Sequence, residues 1–98
     1  MTRAVVFRPI ARSEYDEAVA WYESERAGLG LEFKDAVDGV LARIAAMPLV
    51  FRAVRGPVRR AVVKRFPYTI HFLNEADRIV VLAVYHAARD PEKLESRR

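Results

Sequence analysis

The chain contains no cysteine. Disulfide bridges, thiolate metal sites and thiol nucleophiles are therefore excluded. Long apolar runs are also missing: none approaches the roughly 18 residues that a membrane-spanning helix requires. The apolar start, Ala4-Val5-Val6-Phe7, runs straight into Arg8 and Pro9, so the N-terminus lacks the apolar stretch of a secretory signal. A cytoplasmic protein away from membranes is the expectation. Glycine is scarce. Gly28-Leu29-Gly30 follows a helical pattern and has no third glycine, which argues against a phosphate-cradling loop. The two histidines, His71 and His86, come with no carboxylate cluster at metal-ligand spacing, so no metal and no cofactor is expected. No Gly-x-Ser-x-Gly elbow is present, and Ser13, Ser24 and Ser96 read as caps or surface residues.

Apolar residues make up 52% of the 98 residues, enough for a folded core but, at this length, only a modest one. One domain spanning residues 1–98 is expected. The net charge of +4 matters less than its distribution. Residues 13–38 carry eight acids against Arg26 and Lys34, whereas residues 43–65 carry seven bases and no acid. Such segregation predicts an acidic side and a basic side. The two sides are either merely solvated, or the basic one meets nucleic acid or an acidic protein.

Along the chain, Ala4–Arg8 reads as a short strand that Pro9 stops. Ser13 is a plausible N-cap, with acids crowding the turn behind it. Tyr15, Ala18, Val19 and Tyr22 recur at helical spacing, and Gly28 is placed to end this helix. A second helix is expected over roughly Leu31 to Met47, with Phe33, Val37, Val40, Leu41 and Ile44 on one stripe. Gly39 inside it costs about 1 kcal/mol relative to alanine, which a close approach of the first helix would explain. Phe51–Arg55 reads as an edge strand and Arg59–Phe66 as the next, placing Lys64 and Arg65 on opposite faces. Pro67 interrupts the path. Tyr68–Leu73 alternates, Asn74-Glu75-Ala76-Asp77 turns, and Ile79–Val84 is apolar throughout, as in a central strand covered on both faces. The order is β-α-α-β-β-β-β: an α+β fold with a helical hairpin on a mainly antiparallel sheet.

The residues that could carry chemistry are Arg59, Arg60, Lys64, Arg65, His86 and Arg89. Arginine grips phosphate or carboxylate through two parallel hydrogen bonds, lysine adds a point charge, and histidine exchanges a proton near neutral pH. A metal-free ribonuclease needs little more than a base, an acid and charge for the phosphorane. Each residue alone also fits a structural role. His86 can bond backbone at a strand end, and Arg52 and Arg55 can protect an edge strand. Trp21 lies about 100° from the centre of the first helical stripe. It either flanks the core or anchors a partner.

Lys64-Arg65-Phe66-Pro67-Tyr68, then Val81-Leu82-Ala83-Val84-Tyr85-His86, then Arg89-Asp90-Pro91, resemble the RelE/ParE superfamily of bacterial type II toxins. Tyr15-Asp16-Glu17-Ala18, Trp21-Tyr22 and the second-helix start at Phe33 fit in the same order. The resemblance covers nearly the whole chain. It implies a helical hairpin on an antiparallel sheet and a growth-inhibiting toxin held by a cognate antitoxin in a hetero-oligomer, of the kind associated with plasmid stabilisation. It leaves three readings: a ParE-like protein directed at DNA gyrase, a RelE-like endoribonuclease acting on ribosome-bound mRNA, and a non-toxic relic that only binds antitoxin. RelE-like enzymes carry a catalytic aromatic near the C-terminus, and the tail from Asp90 to Arg98 has none. Tyr85 is expected to face away from His86. This departure favours the ParE-like reading. The expected target-binding set is Arg60, Lys64, Arg65, His86 and Arg89, with His86 and Arg89 catalytic if the protein is a nuclease. Trp21, Arg52 and Arg55 are the expected antitoxin contacts.

Overall fold

A computed structural model of the chain describes residues 3–87. Strand β1 (Ala4–Phe7) leads into helix α1 (Pro9–Glu25) and helix α2 (Leu29–Ala46). A 3-10 turn at Pro48–Val50 precedes β2 (Ala53–Arg55), β3 (Val58–Val62), β4 (Tyr68–Asn74) and β5 (Arg78–His86). The strands form one sheet in the order β1-β5-β4-β3-β2. β1 runs parallel to β5, and the other neighbours are antiparallel. The expected α+β order is therefore the observed one.

β5 lies between β1 and β4, and its seven inner residues, Ile79 to Tyr85, are all buried. This is the tertiary meaning of its unbroken apolar run. The helical hairpin and one side of the sheet share a core of Tyr15, Phe33, Val37, Ile44, Ile70, Phe72, Ile79, Val81 and Val84. Val58, Val80, Leu82, Ala83 and Tyr85 form a second cluster. The β4–β5 register skips at Leu82: Phe72 pairs with Val81 and His71 with Ala83. One extra residue in a strand exchanges the faces of everything after it. Ile79 and Val81 point into the helix-side core before the bulge; Val84 does so after it.

Several boundaries differ from the sequence expectation. α1 starts at Pro9, not behind Ser13, and Arg8 is its N-cap residue. Proline at the first helical position costs nothing, because that N–H has no helical partner anyway. The acids expected in the first turn accordingly fall one turn later, and the first turn has none. Gly28 does not close α1; with φ 89° it opens α2, and its N–H donates to the Glu23 carboxylate. α2 thus begins at Leu29 rather than Leu31. Gly39 is not a close approach, since a Cβ there would meet nothing within 4 Å. The glycine that lets the two helices touch is Gly30. Finally, β3 ends at Val62, so Lys64 and Arg65 lie in a turn and not on opposite faces of a strand.

Candidate functional site

His86 is the last residue of β5 and is exposed, on the helix side of the sheet because of the bulge at Leu82. Its ring stands edge-on to Tyr68, its register partner on β4, with centroids 5.5 Å apart. A hollow of about 260 Å³ opens here, lined by Glu14, Glu17, Trp21, Tyr68, Val84 and His86. A second, of about 380 Å³, adjoins it against Tyr22 and Pro67. Trp21, Tyr68 and His86 line both.

The local sequence explains this surface. Glu14, Glu17 and Trp21 recur at i, i+3 and i+7, one stripe of α1. Glu14 reaches the sheet, where its carboxylate accepts the Val84 backbone N–H at 3.1 Å. β1 ends at Phe7 opposite Val81, so the carboxylate serves an edge amide that β1 is too short to reach. Trp21 remains 56% exposed, its ring packed edge-on against Tyr22 at 5.0 Å. The ring therefore lies at the surface and not in the core. Burial, and then the neighbouring Tyr68 phenol, hold the Tyr22 hydroxyl above the ordinary tyrosine range.

Lys64 and Arg65 line a separate hollow of about 500 Å³ with Glu32, Asp35, Gly39 and Arg43 of α2. Both therefore serve one groove, contrary to the alternation read from the sequence. Arg65 has φ 75°, the left-handed region that favours glycine. Its guanidinium donates to Glu32 at 2.8 Å and lies over Phe66. Hydrogen bonds from Arg65 and then Arg26 hold the Glu32 carboxyl below its usual range. Arg60 is exposed on β3, on the side of Val58 and the second cluster, away from His86. Arg52 is exposed just before β2, and Arg55 is half-buried at its end.

The expected residues thus separate into groups: His86 beside Trp21, Lys64 with Arg65, Arg60 on the far face, and Arg52 with Arg55 at the outer edge. Arg89 lies outside the described residues. Trp21, expected with Arg52 and Arg55, lies instead beside His86. Sequence reasoning missed Glu14, Glu17 and Tyr68, although the helical spacing of the first two with Trp21 was a usable signal. Among the described residues no group of three or more His, Asp and Glu is placed to hold a metal ion. No described helix is long and apolar enough to cross a membrane.

The comparisons with known proteins agree with this architecture. No curated protein matches the chain. Among solved structures, a chain of the chromosomal ParDE TA system from P. aeruginosa superimposes with a TM-score of 0.72 at 13% identity, over 87% of this chain and 96% of its own length. At that identity the likeness speaks for the fold. The pattern of the family described as ParE toxin of type II toxin-antitoxin system, parDE, matches residues 5–91, from β1 to beyond the end of β5. The chain belongs to the ParE toxin family of type II toxin–antitoxin systems.

Proposed function

We propose that this chain is a growth-inhibiting toxin, that a cognate antitoxin neutralises it in a hetero-oligomer, and that it acts on DNA gyrase by binding rather than by catalysis. Membership of the ParE family supports the toxin and antitoxin roles. The observation that carries the non-enzymatic reading is the dispersal of the basic set among the described residues. Metal-free RNA cleavage needs an acid, a base and cationic support around one phosphate. Here His86 is framed by Trp21, Tyr68 and two carboxylates, Glu14 and Glu17. Carboxylates repel a phosphate, and no lysine or arginine is among the described residues lining that hollow. An exposed tryptophan beside a tyrosine and a histidine is instead the composition of a protein-binding anchor. The Trp21–Tyr68–His86 hollow is the target-facing surface in this proposal, with Lys64 and Arg65 flanking it across Phe66 and Pro67.

Induced expression with two separate readouts tests the proposal. Growth arrest with a DNA-damage response and intact mRNA is the expected result, relieved by co-expression of the protein encoded by the adjoining reading frame. Cleavage of ribosome-bound mRNA would establish the nuclease instead. Undisturbed growth at full expression would leave only the antitoxin-binding relic.

A further inference from the structure

The most exposed apolar surface of the described chain belongs to none of these groups. It is the connection between α2 and β2, where Met47, Leu49 and Val50 are 56%, 68% and 65% exposed. A small domain gains nothing in stability from three large apolar side chains in water, and a contiguous exposed group of them marks an interaction surface. Leu49 and Val50 lie in the 3-10 turn that Pro48 opens, and Met47 directly precedes it. They border an open hollow of about 310 Å³ that Arg3, Ala45 and Asn74 also line. Arg3 is itself fixed, donating to the Asn74 side chain and the Glu75 carbonyl.

Arginines flank this turn in the chain, Arg43 before it and Arg52 after it. The Arg43 guanidinium lies 5.4 Å from the Phe51 ring centroid, and Arg59 donates to the Phe51 carbonyl at 2.7 Å. Arg52 follows directly and is exposed. No acid occurs between residues 43 and 65. The segment is therefore cationic, and two guanidiniums, those of Arg43 and Arg59, meet one half-buried aromatic residue.

We infer that Met47, Leu49 and Val50, with Arg43 and Arg52, form the docking surface for an acidic segment of the antitoxin that carries apolar anchors. The inference rests on the proposal that the chain pairs with an antitoxin. Bare nucleic acid would match the arginines but not the apolar turn, which would face phosphates. A second copy of this chain would match the apolar turn but set like charges against each other. An acidic segment with apolar side chains satisfies both. Apolar contacts would hold the complex, and the arginines would speed encounter and select the partner.

The test is a calorimetric titration of the purified chain with the protein encoded by the adjoining reading frame, using Leu49→Asp, Val50→Ser and Arg52→Glu. All three positions are exposed, and thermal melts check that each variant is folded. Leu49→Asp should weaken binding by about tenfold or more, as loss of an interface anchor does. Arg52→Glu should slow association and flatten its dependence on salt. Val50→Ser gives the apolar result independently if Leu49→Asp folds poorly. Unchanged affinity in the folded variants overturns this surface and leaves antitoxin pairing intact. No complex with the wild-type chain overturns the pairing itself, and this surface with it. Self-association lost in Leu49→Asp, or duplex DNA binding lost in Arg52→Glu, with antitoxin affinity unmoved, would give the surface to another occupant and also overturn the inference.

Discussion

Gly30 of α2 lies so close to α1 that a Cβ placed on it would stand 2.7 Å from the carbonyl oxygen of Val19. Backbone on one side and the Glu23 side chain on the other leave no room for a methyl group. Glu23 also accepts the N–H groups of Gly28 and Gly30, so the hairpin is tied at this point. At Gly39, about two and a half turns further along the same helix, a Cβ would meet nothing within 4 Å.

The two glycines should respond oppositely to alanine. Gly30→Ala should destabilise the chain by about 1–3 kcal/mol, since the helices must separate to admit the new carbon. Gly39→Ala should stabilise it by roughly 0.5–1 kcal/mol through helix propensity. Chemical denaturation of both variants checks this; a loss at Gly39 comparable to that at Gly30 would contradict the contact geometry.

Phe33 should be among the most sensitive core positions. Its ring is fully buried and meets Tyr15, Tyr22, Phe66 and Tyr68. Phe33→Ala should cost about 3–5 kcal/mol, a large share of a small domain's stability. A melting temperature near that of the wild type would mean that the aromatic cluster is not packed as described.

Stability should fall at alkaline pH because of Tyr15. Its hydroxyl donates to Asp38 at 3.1 Å, and burial, followed by the Asp38 charge and hydrogen bond, pushes its pKa above the ordinary tyrosine range. The folded chain therefore holds the phenolic proton more tightly than the unfolded chain does. Its contribution is complete below the unfolded pKa of about 10 and is lost progressively as pH rises beyond it. Tyr15→Phe should cost roughly 0.5–1.5 kcal/mol at neutral pH and give a shallower decline above pH ~10, with Tyr22 retaining its own share. Urea midpoints measured across the alkaline range check the slope; identical slopes in wild type and variant would count against the assignment.

Arg65 separates backbone from function. Arg65→Gly suits the left-handed conformation at φ 75° and should fold at least as well as the wild type. The same variant removes the guanidinium, so under the proposed function it should reduce growth inhibition at matched expression. Arg65→Val keeps the strain, loses the charge and should be the less stable of the two. Full toxicity of a folded Arg65→Gly chain would remove this residue from the target-facing set.

His86→Gln tests the absence of catalysis. A nuclease that used His86 as acid or base should lose about 10²–10⁴-fold in rate. A binding surface retains a hydrogen-bonding side chain there, and most of the growth inhibition should survive. Trp21→Ala, which empties the aromatic hollow, should be the more damaging change. The reverse order in a growth assay would argue for acid–base chemistry at His86.

The sequence by itself determined the element order, the central strand, the buried stripe of α2 and the separation of acids from bases. Each of these is written in local periodicity: a strand buried on both faces must be apolar throughout, and a half-buried helix must repeat at 3.6 residues. The start of α1 is also legible in Pro9, since proline favours the first helical position. What only the tertiary structure decided was where the candidate residues face. The extra residue at Leu82 exchanges the faces of β5 and sends His86 toward Trp21 and Tyr85 away from it. The early end of β3 puts Lys64 and Arg65 in one turn. The choice between Gly30 and Gly39 as the helix contact depends on which turn of α1 lies opposite. Bulges, turns and crossing points are set by pairing between segments far apart in the chain, and the local pattern of one segment carries no record of the register its partner imposes.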